Sequence, residues 1–327
     1  LFFRLLLSGK QEAYLRSEEK VRDLNKMMDH PLLTEPQQAL SHKALVTYWR
    51  IYNIYYFSVL DYDRFYTSGR RLIELMEKEP HLLKEDVSEY IAALSNLTLA
   101  CGLRGAYSEV EGYLEKFREI KPITRDDELK IHRQYYNTKF ALCIATGDFG
   151  EGHRAFRQHR KELRRFGRDQ FDQSAFLSQY FMIHFGIGDY DQAMDYLSQW
   201  VAQPRNTARQ DLQAVARIVL LILHYEMGNQ QLLQYLMRST YRALKRQDRL
   251  HRFEQSVLKF MQKSLNTLSR SALREAFAEL KEEFEALQQI PSERVLFQYF
   301  DFIAWLDSQI TGKTFAEAVR ARHLEGK

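Results

Sequence analysis

The sequence predicts an all-α protein, arranged as a right-handed α-solenoid of about seven antiparallel helix pairs. Turn signals recur along the chain at spacings of 40 to 45 residues, and a nearly constant period of this length is typical of repeat architectures. All six prolines fall outside the predicted helices, at positions where a helix must end. No segment alternates apolar and polar residues for long enough to indicate a β-strand.

Each predicted turn ends one helix and starts the next. In Gly188-Asp189-Tyr190, glycine permits the backbone conformation that ends a helix, and aspartate caps the helix that follows. The predicted turns are Asp61-Tyr62, Gly105-Ala106-Tyr107, Gly147-Asp148-Phe149, Gly188-Asp189-Tyr190, Gly228-Asn229-Gln230, Ser269-Arg270-Ser271 and Gly312-Lys313-Thr314.

The helices follow from these turns in chain order. A leading helix near 10–28 precedes a link bracketed by Pro31 and Pro36. The predicted pairs after it are 37–60/62–79, 84–104/106–120, 125–146/148–166, 170–187/189–203, 207–227/229–247, 249–267/271–289 and 292–311/314–323. Because no Gly/Ser-rich linker interrupts the series, we predict a single repeat domain over 1–327.

One turn carries a family resemblance. Gly188-Asp189-Tyr190, followed by Ala193 and Tyr196, resembles the turn and second helix of a tetratricopeptide repeat, although the period exceeds that family's 34 residues. Longer segments resemble an uncharacterised bacterial family of tetratricopeptide-like proteins over most of the chain. They are PHLL at 80–83, YIAAL at 90–94, HYEMGN at 224–229, STYR at 239–242 and YFDFIAWL at 299–306. The resemblance implies further repeats before Leu1 and no catalytic motif.

Composition limits the class of protein. The net charge is +4, from 47 basic and 43 acidic residues, which is too small to indicate nucleic-acid binding by the chain as a whole. Two cysteines, Cys101 and Cys143, do not form a disulfide framework in a chain of this length, so we expect a reducing, cytoplasmic location. No apolar run approaches the roughly 18 residues of a membrane-spanning helix, so we expect no membrane association.

Motifs for catalysis are absent from the sequence. It contains no GxSxG, HExxH or CxxC pattern, each of which places a nucleophile or a metal ligand. Gly312-Lys313-Thr314 matches the end of a phosphate-binding loop, but position 307 is aspartate and the segment follows a helix. We therefore predict a repeat turn there, and a protein that is not an enzyme and needs no cofactor.

A column of potential metal ligands lies four residues before successive turn glycines. Cys2His2 is a zinc ligand set, but equivalent residues of stacked helices lie about 8–10 Å apart from one repeat to the next and cannot converge on one ion. We therefore predict packing positions and no metal site. The residues are Cys101, Cys143, His184 and His224.

The tetratricopeptide resemblance implies a groove register, which places a mainly apolar column on the concave side. Either this column binds an apolar partner segment, or the superhelix is tight enough to bury it. The first alternative predicts a non-catalytic protein-protein interaction scaffold for an unidentified protein or peptide. The predicted partner-binding residues are Gln134, Asn137, Ser178, Met182, Phe185 and Tyr225; Ala141, Ile144, Ile218 and Ile222 belong to the same column.

Two other hypotheses remain. A basic stripe recurs at steps of three and four, which favours either a solvated helix face or a binding surface for nucleic acid or another polyanion. Its residues are Arg154, Arg157, Lys161, Arg164 and Arg168, and a second basic set is Arg238, Arg242, Lys245, Arg246 and Arg249. The third hypothesis is the ligand-sensing half of a regulator whose effector domain precedes Leu1.

Overall fold

The computed structural model describes residues 18–166, 174–202, 210–246, 250–265 and 269–326. All regular elements in these ranges are helices and none is a strand, which confirms the all-α prediction. Residues 10–17 of the predicted leading helix lie outside the described residues. The α-helices are α1 (Glu18–Met28), α2 (His42–Ser58), α3 (Tyr62–Glu77), α4 (Pro80–Leu83), α5 (Val87–Leu103), α6 (Tyr107–Glu119), α7 (Arg125–Thr146), α8 (Phe149–Glu162), α9 (Ser174–Gly186), α10 (Tyr190–Ala202), α11 (Gln210–Glu226), α12 (Gln230–Arg246), α13 (Arg252–Leu265), α14 (Arg270–Gln288), α15 (Pro291–Arg294), α16 (Phe302–Thr311) and α17 (Phe315–Glu325).

Five of the predicted links share one backbone geometry. At Gly188, φ is +80°, its N–H donates to the carbonyl of Phe185 at 3.0 Å, and the next N–H, of Asp189, donates to His184 at 2.9 Å. This pair of bonds is the Schellman motif, which satisfies the last carbonyl groups of a helix. The other links with the same two bonds are centred on Leu60, Gly105, Gly147 and Gly228, with φ between +63° and +73°.

In three of these links, the aspartate that follows the left-handed residue caps the next helix. The side chains of Asp61, Asp148 and Asp189 each accept a hydrogen bond from the N–H three residues later, at 3.0 to 3.3 Å. This N-cap bond satisfies a backbone donor that has no partner within its own helix. Gly312, with φ of +76°, ends α16 in the same conformation, and Thr314 caps α17. The prediction of a turn between two helices at Gly312-Lys313-Thr314 is therefore confirmed.

The chain divides into two compact units. Among the described residues, unit 1 comprises 18–142 and 158–166, and unit 2 comprises 143–157 and the residues from 174 onward. The prediction of one repeat domain over 1–327 stays a prediction.

In unit 1, polar side chains connect helices that are one repeat apart. Asn96 of α5 donates to Asn53 of α2 at 3.0 Å, and the two residues are 43 positions apart. The hydroxyl groups of Thr98 on α5 and Thr138 on α7, 40 positions apart, lie within 3.4 Å. Equivalent helices of successive repeats therefore lie side by side in this unit, over a core that includes Leu94, Leu97 and Phe117.

In unit 2, side chains reach further along the chain. The indole N–H of Trp305 on α16 donates to Oε1 of Glu226 on α11 at 2.7 Å, across 79 positions. The guanidinium of Arg320 on α17 donates to the carbonyl of Gly147 at 3.2 Å, across 173 positions. The last two helices therefore pack against segments 79 and 173 positions earlier, so distant parts of the sequence meet within unit 2. Its core includes Phe181, Phe185, Ile222, Trp305 and Phe315.

Two glycines in equivalent links allow two costs in stability to be measured separately. One is the cost of the left-handed backbone conformation, and the other is the cost of a steric clash with a neighbouring helix. A Cβ at Gly188 would meet no atom within 4 Å, whereas a Cβ at Gly147 would lie 2.7 Å from the backbone nitrogen of Arg320. We expect Gly188→Ala to lower the free energy of unfolding by about 1–2 kcal/mol, the cost of a left-handed L-residue. Gly147→Ala is expected to cost at least about 1 kcal/mol more, because backbone atoms must also move. Urea denaturation of both variants measures the difference; equal losses would contradict the close contact between α17 and the α7–α8 link.

Candidate functional site

The predicted groove column is buried where it passes through unit 2. Met182 and Phe185 on α9 are 4% and 1% exposed, and Ile218 and Ile222 on α11 are fully buried. Of the two alternatives that the sequence left open, burial of the column therefore applies in this unit. These side chains are not accessible to a partner in this structure.

Aromatic residues of the C-terminal helices cover the column. The ring of Phe185 lies 5.4 Å from that of Phe300 and 5.1 Å from that of Phe315, measured between centroids. Tyr225 likewise contacts Trp305 of α16 at 6.2 Å. Side chains of the same chain therefore bury Met182 and Phe185, and a partner-binding role for these two residues stays a prediction.

Two further predicted residues of unit 2 lie at the edge of this core. Tyr225 is half-buried, and burial raises the pKa of its phenol to about 12. Ser178 is also half-buried, and its hydroxyl donates to the carbonyl of Ala175, within its own helix, at 2.8 Å. Neither residue presents a fully exposed side chain to a groove.

The same register is open in unit 1. Gln134 and Asn137 on α7 are half-buried, and Ala141, one turn further along, is exposed. On the neighbouring α5, Ala92 is exposed and Leu99 is 42% exposed. Leu99 and Ala141 stand six residues before the glycines of their links, the repeat position that Met182 and Ile222 occupy in unit 2. We name these five residues of unit 1 the α5–α7 face.

Unit 1 also contains an apolar cleft that the sequence analysis missed. Its volume is about 530 Å³, and Leu83, Val87, Ile120 and Ile123 supply its apolar lining. At its edge, Glu77 accepts hydrogen bonds from Tyr90 at 2.7 Å and from Lys116 at 2.6 Å. Four helices (α3, α4, α5 and α6) and the links α4–α5 and α6–α7 supply the lining, so no local sequence pattern indicates the cleft.

The basic stripe lies on exposed positions of α8 and the turn that follows it. Arg154, Arg157, Lys161 and Arg164 are all exposed, and Arg168 lies outside the described residues. Arg154 forms an ion pair with Glu151 at 2.9 Å, within the same helix. Exposure fits both a solvated face and a polyanion-binding surface, so the stripe alone does not distinguish these hypotheses.

The predicted packing role of the cysteine and histidine column is confirmed. Cys101, Cys143, His184 and His224 are all buried. The ring nitrogen Nδ1 of His184 lies 3.2 Å from Oδ2 of Asp189, so this side chain supports the turn that follows it. Within the described ranges, no three Asp, Glu, His or Cys side chains come close enough to hold a metal ion.

A histidine pair joins α7 to α8 inside unit 1. His132 Nε2 lies 3.0 Å from His159 Nδ1, and His132 Nδ1 lies 3.3 Å from Oε2 of Glu162. The tautomer that satisfies both contacts carries its proton on Nδ1 of His132, so that Nε2 accepts from His159. Burial lowers the pKa of His132 to about 4 and that of His159 to about 3. Both rings are therefore neutral at pH 7, which suits a packed hydrogen-bonded pair.

A partly buried titratable group, Glu226, joins two helices of unit 2. Its Oε1 accepts from Trp305 and from Gln309, at 2.7 and 2.8 Å. Burial raises the pKa of this carboxyl. A cleft of about 460 Å³ lies beside it, lined also by Tyr190 and Arg320. Because the carboxylate already bonds to α16, its observed role is to join α11 to that helix.

Comparison with protein-family models and with curated proteins gave no match. The tetratricopeptide resemblance and the absence of an enzymatic activity both stay predictions. Across the part of the chain that the structure describes, no helix has the length and apolar character needed to span a bilayer.

The histidine pair predicts an acid-sensitive fold. A histidine with a lowered pKa stays neutral in the folded state while the unfolded chain takes up a proton, so stability is present above pH 6.5 and is lost as pH falls toward the folded pKa. Wild-type protein is expected to lose about 1.4 kcal/mol per pH unit for each such histidine between pH 6.5 and about 4. His159→Phe keeps a ring in place and is expected to make this loss less steep. Urea unfolding of both proteins at pH 7, 6, 5 and 4 measures how the free energy of unfolding depends on pH. The same dependence in both would contradict a role for His159 in the acid sensitivity.

Proposed function

We propose that the protein is a non-catalytic, cytoplasmic protein-protein interaction scaffold built from tetratricopeptide-like repeats. We further propose a right-handed solenoid of about seven antiparallel helix pairs. The recurring Schellman links support the repeats, as do the bonds that join residues 40 to 43 positions apart in unit 1. Rigid stacked helices favour binding, because a preformed surface loses little conformational entropy when a partner docks.

One comparison within the chain carries this proposal. In unit 2, the column position six residues before the link glycine is buried at Met182 and Ile222. In unit 1, the same position is exposed at Leu99 and Ala141. Helices of the chain itself cover Met182 and Ile222. A helix of another protein could therefore cover Leu99 and Ala141 in the same way.

The covering helices also indicate the chemistry of the partner. Phe300, just before α16, and Phe315, the first residue of α17, place aromatic rings against the buried column. An amphipathic helix with aromatic or large aliphatic residues at spacings of three and four would fill the α5–α7 face in the same way. The polar side chains of Gln134 and Asn137 would hydrogen-bond at its edge.

Site-specific photo-crosslinking in native lysate tests the proposal. A photoreactive amino acid placed at Leu99 or at Ala141 is expected to capture the same partner segment, because both residues lie on the α5–α7 face. With the probe at Ala92 of the same face instead, the double variant Leu99→Asp/Ala141→Asp is expected to lower capture at least about tenfold, because a charged group would be desolvated on binding. Mass spectrometry of the crosslinked peptides supplies the readout.

Leu40 provides the matched control. It is an exposed leucine of unit 1 outside the α5–α7 face, so a probe there should capture a different set of proteins, and Leu40→Asp should leave binding unchanged. Capture of the same proteins from Leu40 as from Ala141, or no crosslink from either face position, would overturn the proposed function.

A further inference from the structure

Two adjacent helices of unit 2 expose cations without exposed acids. α12 contains no aspartate or glutamate, and the single acid of α13, Glu254, is 1% exposed. The exposed cations are Arg238, Arg242, Lys245 and Arg246 on α12 and Arg252, Lys259 and Lys263 on α13. Lys263 pairs with Glu279 of α14 at 2.5 Å, whereas none of the other six forms an ion pair with an acid among the described residues. The charge of these six side chains is therefore not neutralised by an ion pair within the described residues.

A cleft of about 680 Å³ runs between α12 and α13. Cationic side chains (Arg238, Arg242, Lys259) and amides (Gln234, Gln255, Gln262) line it, together with Tyr241 and an apolar floor of Met237, Leu250, Leu258 and Leu265. The described residues contribute no carboxylate to this lining. We name it the α12–α13 cleft.

Aromatic rings accompany these cations on α12. Tyr235 is 69% exposed and Tyr241 is 44% exposed. Tyr235, Arg238, Arg242 and Lys245 are spaced by three and four residues, so they share one face of the helix. Exposed tyrosines between cations match the surfaces on which single-stranded nucleic acids bind, with phosphates near the cations and bases stacked on the rings.

We propose that the α12–α13 cleft binds single-stranded nucleic acid. The positive charge complements the phosphates, the exposed rings suit unpaired bases, and the glutamine amides can donate to and accept from base edges. An acidic peptide would use the cations but leave the two tyrosines without a role. A duplex would keep its bases stacked away from the rings. This surface lies outside the basic stripe of α8, and the proposal is independent of the scaffold function.

Fluorescence anisotropy with the full chain tests the proposal. The probes are fluorescein-labelled poly(dT) and poly(rU) of about 15 nucleotides, a length suited to one binding cleft. Wild-type protein is expected to bind at about 50 mM salt and to weaken steeply toward about 200 mM. Arg238→Glu/Arg242→Glu is expected to weaken binding at least about tenfold and to flatten the salt dependence. A preference for one probe assigns the natural ligand as DNA or RNA.

Two further variants test whether base stacking contributes to binding and whether removing positive charge elsewhere has the same effect. Tyr235→Ala/Tyr241→Ala is expected to weaken binding by about fivefold to a hundredfold and to leave the salt dependence unchanged, because stacking involves no counterion release. Lys43→Glu/Lys78→Glu changes the net charge by the same amount at exposed positions of unit 1, outside both basic sets, and should alter affinity less than about threefold. Circular dichroism confirms that each variant folds.

Several results would overturn the proposal. One is the absence of binding at about 50 mM salt, and another is an equal loss of affinity in the Lys43→Glu/Lys78→Glu variant. Tighter binding to a duplex of the same length, to polyglutamate or to vesicles containing phosphatidylserine would assign the cleft to a different partner.

Discussion

The left-handed residue that ends a helix is the constraint on which this architecture depends. A residue with φ near +70° lets two consecutive N–H groups satisfy the last carbonyls of one helix, so the next helix starts within a residue or two. Among the described residues, five links place glycine at the left-handed position, and Leu60 occupies it in the first. Short links of one geometry, repeated at 40 to 45 residues, keep successive helices in contact and align the polar and apolar positions of equivalent helices.

The two units use these equivalent positions differently. In unit 1, side chains such as Asn96 and Asn53 connect neighbouring repeats, and the register that precedes each link stays open at Leu99 and Ala141. In unit 2, Glu226 bonds to Trp305, 79 positions later, and the equivalent residues Met182 and Ile222 are buried, with Phe300 and Phe315 packed against the nearby Phe185. A closed unit gains buried apolar area, while an open unit keeps a surface for a partner. The proposed scaffold function depends on this contrast.

Helix α8 carries partly exposed acids beside its basic residues, whereas α12 and α13 do not. The stripe on α8 includes acids close by, such as Glu151, which pairs with Arg154. On α12 and α13 the only acid is buried, so the cations there produce a larger uncompensated field. The second basic set was visible in the sequence, but its cleft and exposed tyrosines were not, because they depend on how α12 packs against α13.

The sequence by itself determined most of the helices, the links and the small polar caps, because these depend on residues within one or two turns of each other. It missed α4, and it predicted one helix over 292–311 where the structure has α15, a 3-10 turn over Val295–Gln298 and α16. It also identified the buried role of Cys101, Cys143, His184 and His224. Only the tertiary structure decided that Met182 and Phe185 are covered, and that His132 meets His159. Those outcomes depend on which distant helices pack together, as when α17 contacts the α7–α8 link across 173 positions. A periodic pattern indicates which face of a helix is apolar, but the helix that covers this face is selected by packing across the whole unit.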